Sequence, residues 1–340
     1  MEYKMAALNR HSMFRQSGFT LVEIMVGLVI GLLATMIIIQ VLSVYEGQKR
    51  STTGSADAQT NGSIALFNIV RETQLAGYPL MPTANSPLEC TTLTFGATGI
   101  TSIDPISITD AASDSITLRY GSSAMGGIPT PIFIPGAPTA NDVTVGNTLG
   151  CEVNDIAFIT NGTTCAMTSV TAISAPIAAI TLQNTTAAVA NGNLACLGRW
   201  NVITYEVING NLVRDITPAV AGDGTPLVAG IVNIQAQYGI SANAKSNQIV
   251  DWVDATGIWV APTLANRNRI KALRIAVIAR NEKKETIDVT NAITTWTGSA
   301  SSPAPTVNLT AADADWKRYR YRVYETVIPL RNVIWSRETL

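Results

Sequence analysis

The sequence predicts an α+β chain in which a long N-terminal helix, apolar enough in its first half to cross a bilayer, packs on a β-rich head. Three observations predict it. Ile24 to Tyr45 is a run of 22 positions without a charged residue. Helical spacing of apolar residues then recurs at Ile64, Phe67 and Val70, with Leu66 and Ile69 alongside, until Ala76-Gly77-Tyr78-Pro79 ends it. Beyond Pro79 the pattern changes to short apolar or alternating runs bounded by Gly, Pro, Asn and Asp. The expected organisation is a leader at 1–18, a helix at 19–77 whose transmembrane half covers about 24–45, and a head at 78–340.

The leader is polar and basic, with Lys4, Arg10 and Arg15 against Glu2. At 1.5 Å per residue the uncharged run gives roughly 33 Å of helix, enough for a hydrocarbon core. Positive charges ahead of it place the leader in the cytoplasm and the bulk of the chain outside. A secretory signal peptide has a shorter apolar region, roughly 7–15 residues, and its small-residue cleavage site follows that region. Here Gly18 precedes it. Gly27 and Gly31 form a G-x-x-x-G spacing that permits close helix approach in lipid.

A plain anchor does not explain Glu23, at the edge of the apolar run in Phe19-Thr20-Leu21-Val22-Glu23-Ile24. A carboxylate at mid-bilayer costs about 2.5–3.5 kcal/mol on insertion scales, less near the interface, so it needs a partner. Gly18-Phe19-Thr20-Leu21-Val22-Glu23 resembles the type IV prepilin signature at every position. The resemblance implies that a prepilin peptidase cuts between Gly18 and Phe19 and methylates the new amino group of Phe19. It also implies that Glu23 pairs with an amino terminus, a neighbour's or its own, as subunits dock. Opposite charges meeting in a low-dielectric bundle attract far more than in water, which offsets their desolvation.

Four further segments resemble the PilW family of minor pilins: Ile69 to Tyr78, Val232 to Gly239, Ala272 to Arg280 and Tyr321 to Asn332. That resemblance implies a pilin-like fold and a non-enzymatic role without cofactor or metal. A few minor pilins associate in the inner membrane, prime pilus growth and ride at or near the tip of the fibre. The implied partners are other minor pilins, the major pilin, the prepilin peptidase, inner-membrane lipid and a tip adhesin. A minor pseudopilin of a type II secretion system is the neighbouring alternative. Gly47, Gly54 and Gly62 interrupt a polar stretch, each costing about 1 kcal/mol relative to Ala, and this stretch is expected to fray when the subunit packs in a filament.

In the head, strands are expected at Ser115 to Tyr120, Asp155 to Thr160, Cys165 to Ile173, Trp200 to Ile208, Asn211 to Asp215, Arg274 to Arg280 and Tyr319 to Ile328. Asn209-Gly210 signals a tight hairpin between two of them. Residues 121–142, 184–196 and 298–306 read as loops. Cys90, Cys151, Cys165 and Cys196 all follow the apolar run, and an even count on the exported side indicates two disulfides, with three connectivities open.

The formal net charge of −1 selects neither nucleic acid nor an acidic lipid surface. Its distribution is uneven, since residues 77–266 sum to −8 and residues 267–337 to +7. Opposite halves of this kind would attract, within a subunit or between neighbours. His11 is the only histidine, so no Ser-His-Asp triad or His-ligated zinc can form in the head. Lys317 to Arg322 interleaves cations and aromatics as single-strand binders do, the basis for a DNA-contacting alternative. Strand alternation instead sends Tyr319, Tyr321 and Val323 to one face and Arg318, Arg320 and Arg322 to the other, an ordinary half-buried strand. Asp251 with Asp254, and Asp313 with Asp315, read as acidic turns in preference to calcium ligands.

Overall fold

The computed structural model describes residues 18–80, 90–97, 99–134, 141–174, 178–184, 192–217, 224–299, 301–310 and 312–334. The chain divides into two units, Met1–Thr53 and Gly54–Leu340. Helix α1 (Leu21–Thr73) begins in the first and ends in the second. Within the first unit the apolar side chains from Phe19 to Tyr45 are exposed. In the second unit α1 buries Gly54, Ala58, Gly62, Ala65, Ile69 and Thr73, spaced three or four residues apart and so on one face. The helix stops short of the expected Gly77. Residues 74–79 form turns, with Gly77 at φ +81°, a conformation glycine adopts without strain.

The head opens with β1 (Thr92–Phe95), β2 (Ile106–Thr109) and β3 (Ser115–Gly121). There follow β4 (Thr130–Ile134), β5 (Asp142–Val145), β6 (Ile156–Thr160), β7 (Thr164–Ser174), β8 (Ala179–Leu182) and β9 (Asn193–Cys196). Next come β10 (Trp200–Ile208), β11 (Asn211–Thr217), β12 (Thr225–Ala229), β13 (Ile231–Ser241) and β14 (Ile249–Val253). A short helix α2 (Leu264–Arg267), the strands β15 (Ile270–Arg280) and β16 (Tyr321–Pro329), and α3 (Arg331–Ile334) complete the described chain.

These strands form three sheets. The antiparallel sheet β14-β13-β15-β16 receives α1 on one face. Along β15, Leu273, Ile275, Val277 and Ala279 join the core under the helix, while Ile278 turns the other way. That second face is covered by the excursion between β15 and β16, which packs Ile293, Val307, Leu309 and Trp316 on Ile278, Tyr321 and Val323. Burial on both faces explains why β15 reads as a nearly continuous apolar run, while β13 buries Asn233, Gln235 and Gln237 among its apolar residues. A second antiparallel sheet has the order β12-β11-β10-β3-β2. Its β10–β11 hairpin turns at Asn209 and Gly210, with φ of +50° and +74°, the paired left-handed geometry that Asn-Gly favours.

The third sheet closes on itself. Its order is β1-β7-β6-β9-β4-β5-β8, and β8 also pairs with β7, so β4 to β9 form a six-stranded barrel with β1 added in parallel to β7. Ile132, Val143, Ile159, Val170, Leu182 and Leu194, one from each strand, fill its interior. This corrects two sequence expectations. Residues 121–142 and 184–196 are not wholly loops, because β4 and β9 lie within them and pair with each other. Pro129 and Pro131 disguise β4, and four residues disguise β9, yet closure of the barrel gives both a partner on each side. The barrel departs from the second sheet at Gly121 and returns at Trp200, and those two residues are paired across β3 and β10.

The disulfides resolve the open connectivity as Cys90–Cys165 and Cys151–Cys196, with Cα separations of 5.8 and 5.2 Å. Both engage the barrel: Cys165 lies on β7 and Cys196 on β9.

The glycines of α1 acquire a packing role. A Cβ on Gly62 would overlap the ring of Tyr324 on β16, and one on Gly54 would overlap Asn281. The stretch expected to fray is helical in the subunit, and two of its three glycines are buried where the helix meets its neighbours. Gly62→Leu is therefore expected to lower the unfolding free energy of the detergent-solubilised protein by about 1–3 kcal/mol in urea titration. Gly27→Leu, at a position with nothing within 4 Å, is expected to leave it unchanged.

Candidate functional site

At the amino end of α1, Phe19 is 84% exposed and Thr20 caps the helix. The Thr20 amide and hydroxyl donate to Glu23 Oε2 at 2.8 and 2.9 Å, and the Glu23 amide donates to Thr20 Oγ1 at 3.3 Å. This is a reciprocal capping box, which satisfies two helix-terminal amides and places a carboxylate at the positive end of the helix dipole. Glu23 is thus held one turn from the Gly18–Phe19 peptide bond, on a segment whose other side chains are apolar and exposed. A Cβ on Gly27 or Gly31 would meet nothing within 4 Å outside the helix, and the two glycines leave a smooth strip on that segment. Residues 1–17 of the expected leader at 1–18 lie outside the described residues.

Within the second unit the last turn of α1 is fastened to the second sheet. Arg214 on β11 donates to Glu72 through Nε at 3.0 Å and Nη2 at 2.8 Å, and the Tyr205 hydroxyl of β10 donates to the other carboxylate oxygen at 2.8 Å. Burial and the bond to Glu72 raise the Tyr205 phenol above its ordinary range. Sequence reasoning gave none of these residues a role. The available signal was scarcity: residues 77–266 hold four Lys and Arg, and two of them, Arg119 and Arg214, are tied into the head. Glu72→Gln is expected to lower stability by about 1–3 kcal/mol, because it leaves a largely desolvated guanidinium half-paired. A Glu72→Gln/Arg214→Met double-mutant cycle measures the coupling.

A second junction ties the β2–β3 turn to β13. Asp114 accepts from the Ala236 amide at 2.7 Å and the Ala111 amide at 3.1 Å, while its own amide donates to the Ile234 carbonyl at 2.8 Å. In this way the turn substitutes for a strand along the part of β13 that β14 does not cover. Burial pushes the Asp114 carboxyl up to about 7; the two amides oppose the shift, and Asp110 and Asp254 add to it. An acid with a raised folded-state pKa binds its proton more tightly when folded. Its contribution to stability is therefore greatest below about pH 4 and is lost as pH rises towards 7. Across that window, urea midpoints of the native chain should fall relative to those of Asp114→Asn.

The C-terminal cations that sequence reasoning set apart are mostly neutralised within the chain. Arg280 pairs with Asp313 at 3.0 Å, Lys284 with Asp315, Arg318 with Asp288 at 3.6 Å, and Arg320 with Glu285 at 3.2 Å. Arg274 lies between Trp252 and Trp296, with ring centroids at 4.7 and 4.5 Å. The acidic turn pairs are engaged too: Asp251 accepts from Ser301, and Asp254 from Gln237. Among the described residues no three His, Cys, Asp or Glu side chains are grouped to hold a metal ion. Tyr321 and Val323 face the packed side of the sheet as alternation predicts, but Arg318 belongs to a helical turn before β16.

Two family models match the chain. The prokaryotic N-terminal methylation motif matches residues 13–39, and the type IV pilus-assembly protein W model matches residues 203–332, from β10 to α3. Those two stretches of the chain match PilW-type pilins. A type IV-like pilin from Thermus thermophilus is similar in structure, with a TM-score of 0.37, 10% identity and coverage of 81% of this chain and 97% of that one. No curated protein matches the sequence. The barrel lies between the two matched regions, and the apolar helix with its methylation motif points to membrane anchoring and pilus association.

Proposed function

We propose that this chain is a minor pilin that primes or supports assembly of a type IV pilus and enters the fibre at or near its tip. The observation that carries the reading is Glu23, a carboxylate fixed by Thr20 at the start of an exposed apolar helix, one turn from Phe19. Cleavage after Gly18 turns the Phe19 amide into a cationic amine, which prepilin peptidase methylates. In a bundle of such helices the amine and a carboxylate neutralise each other, and the preformed cap reduces the entropy lost when they meet. The basic leader sets the orientation, with residues 1–18 in the cytoplasm and the head from about residue 78 outside. Before assembly the chain is a single-pass inner-membrane protein whose partners are other minor pilins, the major pilin and a tip adhesin. The role is templating and involves no catalysis. A gathering of paired cations around β16 favours this structural role over DNA contact.

Mass spectrometry of the membrane and fibre fractions tests the reading. The expected N-terminus is N-methylated Phe19. Gly18→Val is expected to retain the leader and keep the protein out of fibres. Glu23→Gln is expected to be cleaved normally yet recovered in fibres about tenfold less, the equivalent of about 1.4 kcal/mol. Fibres that contain the protein with residues 1–18 intact would refute the assignment.

A further inference from the structure

Beside α1, at the start of β16, the second unit holds a cleft of about 290 Å³ whose walls include Ser55, Ala58, Asn281, Thr290, Arg320 and Arg322. The helix supplies only small side chains there, so the cleft stays open, and most of its lining is polar. Its charge is unbalanced. Arg320 reaches Glu285 at 3.2 Å, but Glu285 also serves Lys283 at 3.4 Å. Arg322 is exposed, and among the described residues no carboxylate lies within ion-pair distance of it. Nearby, Arg280, Lys284 and Arg318 are paired with acids of the same chain, and Lys317 lies over the Trp316 ring. Arg322 is the guanidinium left over.

We propose that this cleft receives an Asp or Glu side chain of a neighbouring pilin-type subunit, with Arg322 as the binding cation and Arg320 beside it. The naming of the occupant rests on the assembly role proposed above; the cleft and its charge do not. A guanidinium presents a planar fork that matches a carboxylate with two parallel hydrogen bonds. The volume falls just below the roughly 300–1,000 Å³ of small-molecule pockets and is ample for one side chain. Complementary charge is available on heads of this type, since residues 77–266 of this chain alone carry a balance of −8. Contact between this cleft and an acid elsewhere on the next subunit is heterologous, the class of contact that propagates along a filament and does not close into a dimer.

The test uses the full-length protein in membranes of pilus-forming cells, with a photocrosslinking amino acid at Thr290 in the cleft or at Leu33 in the apolar helix. Both probes are expected to capture a pilin-type protein. Arg322→Glu should reduce capture from Thr290 about tenfold or more and leave capture from Leu33 unchanged. Replacing the captured acid by Arg, once it is mapped, should restore contact with Arg322→Glu. Intact disulfides on a non-reducing gel report folding, and Arg322→Gln serves if the charge reversal misfolds. The cleft assignment is overturned if Leu33 captures a pilin while Thr290 captures none, or captures only phospholipid, or is indifferent to Arg322. Failure of both probes overturns the assembly role as well.

Discussion

A helix can lie flush on a sheet only where its own side chains are small enough to let the backbones approach. In this protein Gly54, Ala58, Gly62 and Ala65 meet that constraint in the part of α1 that belongs to the head. Tyr324 packs where a side chain on Gly62 would stand, and the odd positions of β15 complete the contact. The same sheet is buried on its other side by the long β15–β16 excursion, so its two central strands have no wet face. Sequence features far from the helix follow from this seating, including the apolar run of β15 and the aromatic at the heart of β16.

The head uses ionic groups sparingly where it uses them for cohesion. Glu72 accepts from both Arg214 and Tyr205, so one carboxylate joins the helix to two strands of the second sheet. Asp114 performs a comparable task without a cation, accepting backbone amides from its own turn and from β13. A bare buried carboxylate is expensive, and backbone amides offset only part of the cost, which is why this acid holds its proton to a higher pH than its free counterpart. Polar contacts of this kind fix the sheets relative to each other with a directionality that apolar contact lacks.

Much of the fold was legible because it rests on local rules. An uncharged run of membrane length, the period of the second half of α1 and the Asn209-Gly210 turn each announce one structure. Two strands that read as loop, β4 and β9, are short, and β4 has one proline before it and one within it. They exist because a closed barrel supplies partners from distant parts of the chain, and no local pattern encodes closure. The candidate site divides along the same line. Glu23 stood out by being charged in an apolar setting, whereas its bonds to Thr20 are a matter of geometry. Glu72, Tyr205 and Arg214 lie 133 and 142 positions apart from helix to strand and come together only in three dimensions. The disulfide pairing was likewise a question of which strands end side by side.

The adjacency of Gly121 and Trp200, where the barrel leaves and rejoins the second sheet, has a mechanical meaning. In the fibre role proposed above, load passing along the backbone into β3 would find a shorter route across the rung to β10 than through the 78 residues of the detour. The barrel would then hang on that tensile path as a side loop, crosslinked by Cys151–Cys196 and tied through Cys165 to Cys90, and would keep its form while β3 and β10 are pulled.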